Sequence, residues 1–180
     1  MYLLANLYNL KKILRLKCKR INLIITDVDG VLTDGGRYYS KKGEELKKFH
    51  VHDGMGVNLL LRNNIKTIIV TKENSKITKC WAKDMKIAKV FAGVTHKEKI
   101  LPKICQLYDV TPIEVVYIGD DVNDLELMNK VGMSVSPFDG IAQVKKIADY
   151  VCTKSAGNGV LREVADLILK EKFPKKTNRY

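Results

Sequence analysis

The stretch Asp27-Val28-Asp29-Gly30 places two carboxylates two residues apart, directly after the apolar run Ile21 to Thr26. A short apolar run of that kind reads as a buried strand. Both acids then fall at its carboxyl end, and ligands in open α/β sheets bind outside the carboxyl ends of the strands. Two acids crowded there repel one another. A divalent cation relieves the repulsion, and Mg²⁺ typically sits on one or two carboxylates plus substrate phosphate. A carboxylate can also act as a covalent nucleophile in aspartyl-phosphate chemistry. The first reading is therefore Mg²⁺-dependent phosphoryl transfer.

Later positions supply what such chemistry needs. Thr71 follows Ile68-Ile69-Val70, Lys97 opens a helical stretch after Phe91, and Asp120, Asp121 and Asp124 follow Val115 to Ile118. Asp27 would attack phosphorus, and Asp29 would protonate the leaving oxygen and then activate water. Thr71 would donate to a phosphoryl oxygen, and Lys97 would neutralise the equatorial oxygens. Asp120 would hold Mg²⁺ with Asp27 and the backbone carbonyl of Asp29, with Asp121 or Asp124 completing or orienting the shell. Each position taken alone has a plainer reading. Gly119-Asp120-Asp121 suits a turn and a helix N-cap, Thr71 suits an N-cap, and Lys97 suits a solvated surface. The conjunction at successive strand ends outweighs those readings.

The elements that must position these groups alternate. Strands are expected at 22–26, 67–70, 89–91, 115–118, 133–135 and 150–152. Helices are expected at 54–63, 76–85, 97–108, 121–131, 141–148 and 159–172, and a hairpin at 37–51 turns on Lys41-Lys42-Gly43-Glu44. This alternation predicts an α/β protein: a parallel sheet with helices on both faces. Leu3, Leu7, Leu10 and Leu14 recur at helical spacing, so Tyr2 to Lys17 reads as a basic amphipathic helix. Residues 1–20 thus form an extension, 21–173 one domain and 174–180 a basic tail. His50, His52 and Asp53 read as polar packing or substrate contact in preference to a second metal site. Gly54 and Gly56 read as a tight helix start.

The net charge of +12 sits mainly at the ends: residues 1–20 carry +6, the stretch from Pro174 carries +3, and the body keeps +3. Terminal charge runs are usually solvated, so nucleic acid is not the expected partner, while a mildly basic body suits an anionic substrate. The scattered Cys18, Cys80, Cys105 and Cys152 make no zinc spacing and read as reduced thiols. No stretch has the length a membrane span needs. The cations follow the apolar start, with no small-residue cleavage site, so no signal peptide is expected. A cytoplasmic protein is the resulting expectation.

Asp27-Val-Asp-Gly30, Thr71, Lys97 and Gly119-Asp-Asp-Val-Asn-Asp124 resemble the four motifs of the haloacid dehalogenase (HAD) superfamily phosphatases. The stretches 27–35, Phe49-His-Val-His-Asp-Gly-Met-Gly56 and Val160-Leu-Arg-Glu-Val-Ala-Asp-Leu-Ile168 are similar to the phosphatases acting on 3-deoxy-D-manno-octulosonate (Kdo) 8-phosphate and on nonulosonate (N-acylneuraminate-type) 9-phosphates. The resemblance implies a Rossmann-like HAD fold, Mg²⁺ and a phosphorylated acidic sugar. The interval from Asp27 to Thr71 holds only a hairpin and a helix, which leaves no room for a cap domain. Relatives of this type cover their sites by forming homotetramers in which hairpins associate, so Tyr38, Tyr39 and Phe49 become candidate interface residues. Two departures bear on the sugar. Lys72-Glu73-Asn74 stands where Gly-Arg usually follows the second motif, and Ala156-Gly-Asn-Gly159 replaces a Gly-Gly-Arg-Gly loop. Lys72, Glu73 and Arg162 are therefore candidate substrate contacts, Arg162 in its own or a neighbouring subunit.

Kdo 8-phosphate stands first as substrate and a nonulosonate 9-phosphate second. A non-catalytic tetramerising partner of a cytidylyltransferase would be marked by loss of Asp27, Asp29 or Lys97, and all three are present. Binding of nucleic acid or membrane through the termini would be abolished by trimming residues 1–20 and the last seven, with any phosphatase activity left intact.

Overall fold

Apolar side chains alternate to both faces of the central strands, which obliges helices to cover both sides. The computed structural model, which describes residues 2–174 and side chains from residue 11 onward, shows how. Strands β1 (Leu23–Thr26), β4 (Lys66–Val70), β5 (Lys89–Phe91), β6 (Val115–Ile118), β7 (Met133–Ser136) and β8 (Tyr150–Val151) form one parallel sheet in the order β5-β4-β1-β6-β7-β8. Strands β2 (Tyr38–Ser40) and β3 (Gly43–Leu46) make a separate antiparallel hairpin. On one face Ile24, Ile69 and Val116 pack with helices α1 (Tyr2–Arg20), α2 (Val51–Arg62), α3 (Lys76–Asp84) and α7 (Val160–Lys172). On the other, Leu23, Ile25, Ile68 and Tyr117 pack with α4 (Leu101–Tyr108), α5 (Leu125–Met128) and α6 (Ala142–Ile147). The expected α/β architecture without a cap is the one found.

Several boundaries differ from expectation. Helix α2 begins at Val51, three residues before Gly54, because the His50 ring caps it: Nδ1 accepts the His52 N–H at 3.2 Å. Gly56 instead allows close approach, since a Cβ there would lie 3.0 Å from the Arg162 backbone on α7. The hairpin turns at Lys41-Lys42, and β3 ends at Leu46, beyond which Phe49 makes only an isolated bridge to Thr33. Lys97 sits in a 3₁₀ turn, Lys97–Ile100, that precedes α4. The segment expected as one helix over 121–131 is a 3₁₀ turn, Val122–Asp124, followed by the single turn of α5. Asp124 turns its carboxylate back onto the N–H groups of Asp120 and Asp121, and that closure uses up the first turn.

The N-terminal helix is not a free appendage. Cys18 is fully buried, Leu14 packs against the same core, and Lys17 reaches Asp149 at 2.5 Å. The side chains of Leu3, Leu7 and Leu10, and the tail beyond Pro174, lie outside the described residues. The packing of Leu14 and Cys18 argues against the expectation that residues 1–20 can be trimmed without consequence. Deleting them is predicted to destabilise the fold by about 3 kcal/mol or more, the cost of exposing the apolar surface these side chains and their partners bury. A thermal melt that stays unchanged after the deletion would contradict this.

Candidate active site

Adjacent parallel strands β1 and β6 end side by side, with Thr26 in register with Ile118, so Asp27 and Asp120 leave the sheet together. Thr71 leaves the neighbouring strand β4, whose Ile69 is in register with Thr26. Strand and loop order therefore deliver the predicted residues to one sheet edge. Gly30 is what lets the first loop close over the second: its φ is +84°, and a Cβ there would come within 2.0 Å of Asp120 Oδ2.

Lys97 reaches this edge fully buried. Its ammonium lies 2.7 Å from Asp27 Oδ2 and 2.6 Å from Asp124 Oδ1, with the Tyr117 hydroxyl at 3.3 Å. Asp124 is also fully buried. Its Oδ1 accepts from Lys97 and from the Tyr117 O–H at 2.6 Å, and its Oδ2 accepts the N–H groups of Asp120 and Asp121 at 2.9 and 3.2 Å. Those four donors match the acceptor capacity of a carboxylate. Asp124 therefore organises the loop, although its oxygens lie within 4.8 Å of those of Asp27 and Asp120. Asp121 is exposed and caps the 3₁₀ turn through the Val122 N–H.

Three carboxylates against one ammonium leave a formal charge of −2 in a cluster where Asp27, Asp124 and Lys97 are buried and Asp120 half-buried. Burial, then the charges of Asp27 and Asp124, push the Asp120 carboxyl up to about 8, and its Oδ1 is buried without a hydrogen-bond partner. Burial also raises Asp27 to about 6, with Lys97 opposing and Asp124 reinforcing the shift. Burial disfavours the Lys97 ammonium, but Asp27 and Asp124 outweigh it and hold the pKa above its ordinary value. Burial and the Asp124 charge hold the Tyr117 phenol far above its usual range, so it stays a donor. A divalent cation on Asp27 and Asp120 fits this donor set. It would cancel the excess charge and take up the orphaned oxygen.

Asp29 stands apart from that cluster and has its own cation. Lys47, just past β3 and with its side chain fully buried, places Nζ 2.7 Å from both Asp29 oxygens. Sequence reasoning missed Lys47, since one lysine in a basic stretch carries no mark of burial. It also missed Tyr117, whose only signal was a polar-tipped residue inside an apolar strand.

A cavity of about 160 Å³ opens on this edge, lined by Asp27, Asp29, Thr71, Lys72, Glu73 and Asp120, with Asp121 and Asn123 at its border. The Thr71 Oγ1 accepts the Glu73 N–H at 3.3 Å, which leaves its own O–H available to donate. Arg162 is not brought here. It lines a separate cavity of about 570 Å³ with His52, Lys154 and Asn158, and its Nε bonds Asp166 at 2.9 Å. Among the described residues, His50, His52 and Asp53 form no ligand cluster. Asp53 instead accepts the Arg162 N–H at 2.9 Å and ties α2 to α7. The four cysteines are free thiols, and no helix among the described residues is long and apolar enough to cross a membrane.

Residues 57–164 match the haloacid dehalogenase-like hydrolase family, and the chain belongs to it. Within that family the resemblance is specific. The chain is 38% identical over 153 residues to 3-deoxy-D-manno-octulosonate 8-phosphate phosphatase of Salmonella typhi, covering 85% of this chain and 81% of that one. It superposes with a TM-score of 0.85 on the Moraxella catarrhalis phosphatase solved with magnesium, phosphate and Kdo, at 35% identity over 88% of this chain and 91% of the other. The cobalt-bound Haemophilus influenzae phosphatase gives a TM-score of 0.85 at 36% identity, over 87% and 91%.

Two predictions arise from this geometry. Gly30→Ala should strain the loop by about 1–3 kcal/mol and displace Asp120; a fall in divalent-cation affinity, read by calorimetry, checks it, and unchanged affinity contradicts it. The second concerns pH. A carboxyl raised in the folded state keeps a proton that the unfolded chain releases near its ordinary value. Asp27 and Asp120 therefore cost stability increasingly from about pH 4 up to about 8 without metal. Asp120→Asn should raise the metal-free melting temperature at pH 8 more than at pH 5, and should abolish stabilisation by Mg²⁺. In the unaltered protein Mg²⁺ must displace the Asp120 proton, so affinity should tighten up to about tenfold per pH unit between pH 6 and 8. A flat profile would contradict the assignment.

Proposed function

We propose that this chain is a Mg²⁺-dependent phosphatase that hydrolyses Kdo 8-phosphate to Kdo and phosphate through an aspartyl phosphate on Asp27. The observation that carries it is the cluster of Asp27, Asp120 and Asp124, with Lys97 buried between Asp27 and Asp124, opening on a cavity sized for a phosphoryl group. Asp27, Asp120 and the Asp29 backbone carbonyl would hold Mg²⁺, whose charge offsets that of the phosphate dianion when bound.

The chain's own groups account for the remaining steps. Lys97 holds Asp27 Oδ2 in place and keeps the carboxylate ionised for attack. An Asp27 oxygen forms the bond to phosphorus as the bond to the sugar oxygen breaks, and that oxygen takes the Asp29 proton. Water then gives its proton back to Asp29 and attacks phosphorus; the bond to Asp27 breaks and phosphate departs. The Thr71 hydroxyl donates to a phosphoryl oxygen throughout.

The cavity is well below the roughly 300–1,000 Å³ that encloses a whole small ligand. The sugar must therefore lie outside it, against Lys72, Glu73 and whatever covers the open edge. A second copy is the proposed cover, in a cytoplasmic homotetramer with associated hairpins; Tyr38, Tyr39 and Leu46 are exposed there. Arg162 would then meet a substrate carboxylate in a neighbouring subunit. The proposed phosphatase domain spans 21–173, with 174–180 a basic tail and 1–20 an N-terminal extension whose helix packs on the domain's core. One observation favours a second substrate: Glu73 borders the cavity where related enzymes carry a cation, which suits a nonulosonate 9-phosphate.

Asp27→Asn should lower turnover at least about a thousandfold with the fold intact by circular dichroism. Undiminished phosphate release in that variant would end the proposal. A phosphate-release comparison of Kdo 8-phosphate with N-acetylneuraminate 9-phosphate decides the sugar, and a higher kcat/KM for the second would replace the first.

A further inference from the structure

Asp29 needs no metal to balance its charge, because Lys47 does so. The Lys47 ammonium sits 2.7 Å from each Asp29 oxygen, with its side chain fully buried. Thr33 Oγ1 adds a weaker contact to Oδ1 at 3.3 Å. The carboxylate is thus gripped by Lys47 at both oxygens, and among the described residues the lysine is the partner of Oδ2. The grip comes from the hairpin: Lys47 follows β3 directly, and its second partner is Glu44 Oε1 at 3.5 Å on β3 itself. Glu44 is in turn fixed by Ser75 Oγ at 2.6 Å and Arg37 Nε at 3.1 Å. Arg37 also reaches Glu73 Oε2 at 3.2 Å, and Glu73 borders the cavity. An unbroken polar chain therefore runs from Glu73 through Arg37, Glu44 and Lys47 to Asp29.

We infer that Lys47 is a positioning residue for proton delivery by Asp29, and that the hairpin sets its place. The inference rests on the assignment of Asp29 as acid and base. Lys47 touches neither phosphorus nor the leaving oxygen. It holds the carboxyl in one rotamer: Asp29 enters the first step protonated, gives that proton to the departing alcohol as the phosphorus–oxygen bond breaks, and Lys47 pairs with the carboxylate that remains until water returns the proton. A carboxyl free to rotate would deliver that proton from the wrong place, and misplacement on the scale of an ångström is costly in such steps. Because the lysine is carried by the hairpin, whatever seats the hairpin also seats the acid.

The test uses leaving groups. kcat/KM includes only steps up to formation of the aspartyl phosphate, so it isolates the step in which the acid matters. An alkyl phosphate such as a sugar phosphate needs its leaving oxygen protonated, whereas p-nitrophenyl phosphate releases a stable anion. Lys47→Met should lower kcat/KM for the sugar phosphate about 10²-fold or more, in the range general acids contribute, and for p-nitrophenyl phosphate less than about threefold. Asp29→Asn is measured alongside. If Asp29→Asn shows this split and Lys47→Met lowers both substrates equally or neither, Lys47 has no positioning role and the inference falls alone. If Asp29→Asn shows no split, the acid assignment falls and this inference with it. Should Lys47→Met fail to fold, Glu44→Gln loosens the same lysine and should show a smaller split of the same sense; equal effects on both substrates in that variant overturn the inference.

Discussion

Two buried carboxylates, Asp27 and Asp124, share the buried Lys97 ammonium while the half-buried Asp120 carboxyl crowds against them, and this imbalance is the constraint on which the site depends. Burial, and then the neighbouring charges of Asp27 and Asp124, raise the Asp120 carboxyl to about 8, so without metal it keeps a proton. The arrangement is stable only because its parts are over-determined. Asp124 spends both oxygens on four donors, Tyr117 supplies one of those donors from inside the sheet, and the absence of a Cβ at Gly30 admits the Asp120 carboxylate. A fold that concentrates negative charge this way is poised for a divalent cation and for the phosphate dianion such a cation can hold.

The paired acids that open the first loop are separated by assignment to different lysines. Asp27 belongs to Lys97, which arrives from the far side of the sheet edge, and Asp29 belongs to Lys47, which arrives from the hairpin. The two carboxylates can thereby do different things from nearly the same place in the chain. The division also links chemistry to architecture. The hairpin leads directly into the lysine that pairs with Asp29 and also carries the exposed Tyr38 and Tyr39.

Much of this was legible in the chain because strand polarity is. Once 22–26, 67–70 and 115–118 read as parallel strands, Asp27, Asp29, Thr71 and Asp120 had to emerge on one edge, and they do. Lys97 was placed there by motif spacing, and its burial follows from two carboxylates that no periodicity reveals. Lys47 was invisible because its partner lies 18 residues away, across a turn whose register single-sequence reasoning left loose. Local side-chain closure also defeated pattern reading. Asp124 and His50 each take backbone N–H groups that propensity would hand to a regular helix, moving the boundaries at Asp121 and Val51. Arg162 could be named from its motif but not placed, since its position depends on how α7 packs against α2, which brings His52 to the cavity that residues 150–166 otherwise line.

The central claim is that the crowded carboxylate facing Lys97 is a covalent nucleophile. The most direct test is acid quenching during turnover of the sugar phosphate with Mg²⁺, followed by peptide mass spectrometry. The account predicts one phosphoryl group on the peptide that carries Asp27, removed by hydroxylamine with a hydroxamate left at Asp27. Product formation with no phosphorylated peptide, or with the phosphoryl group on any other residue, would contradict it.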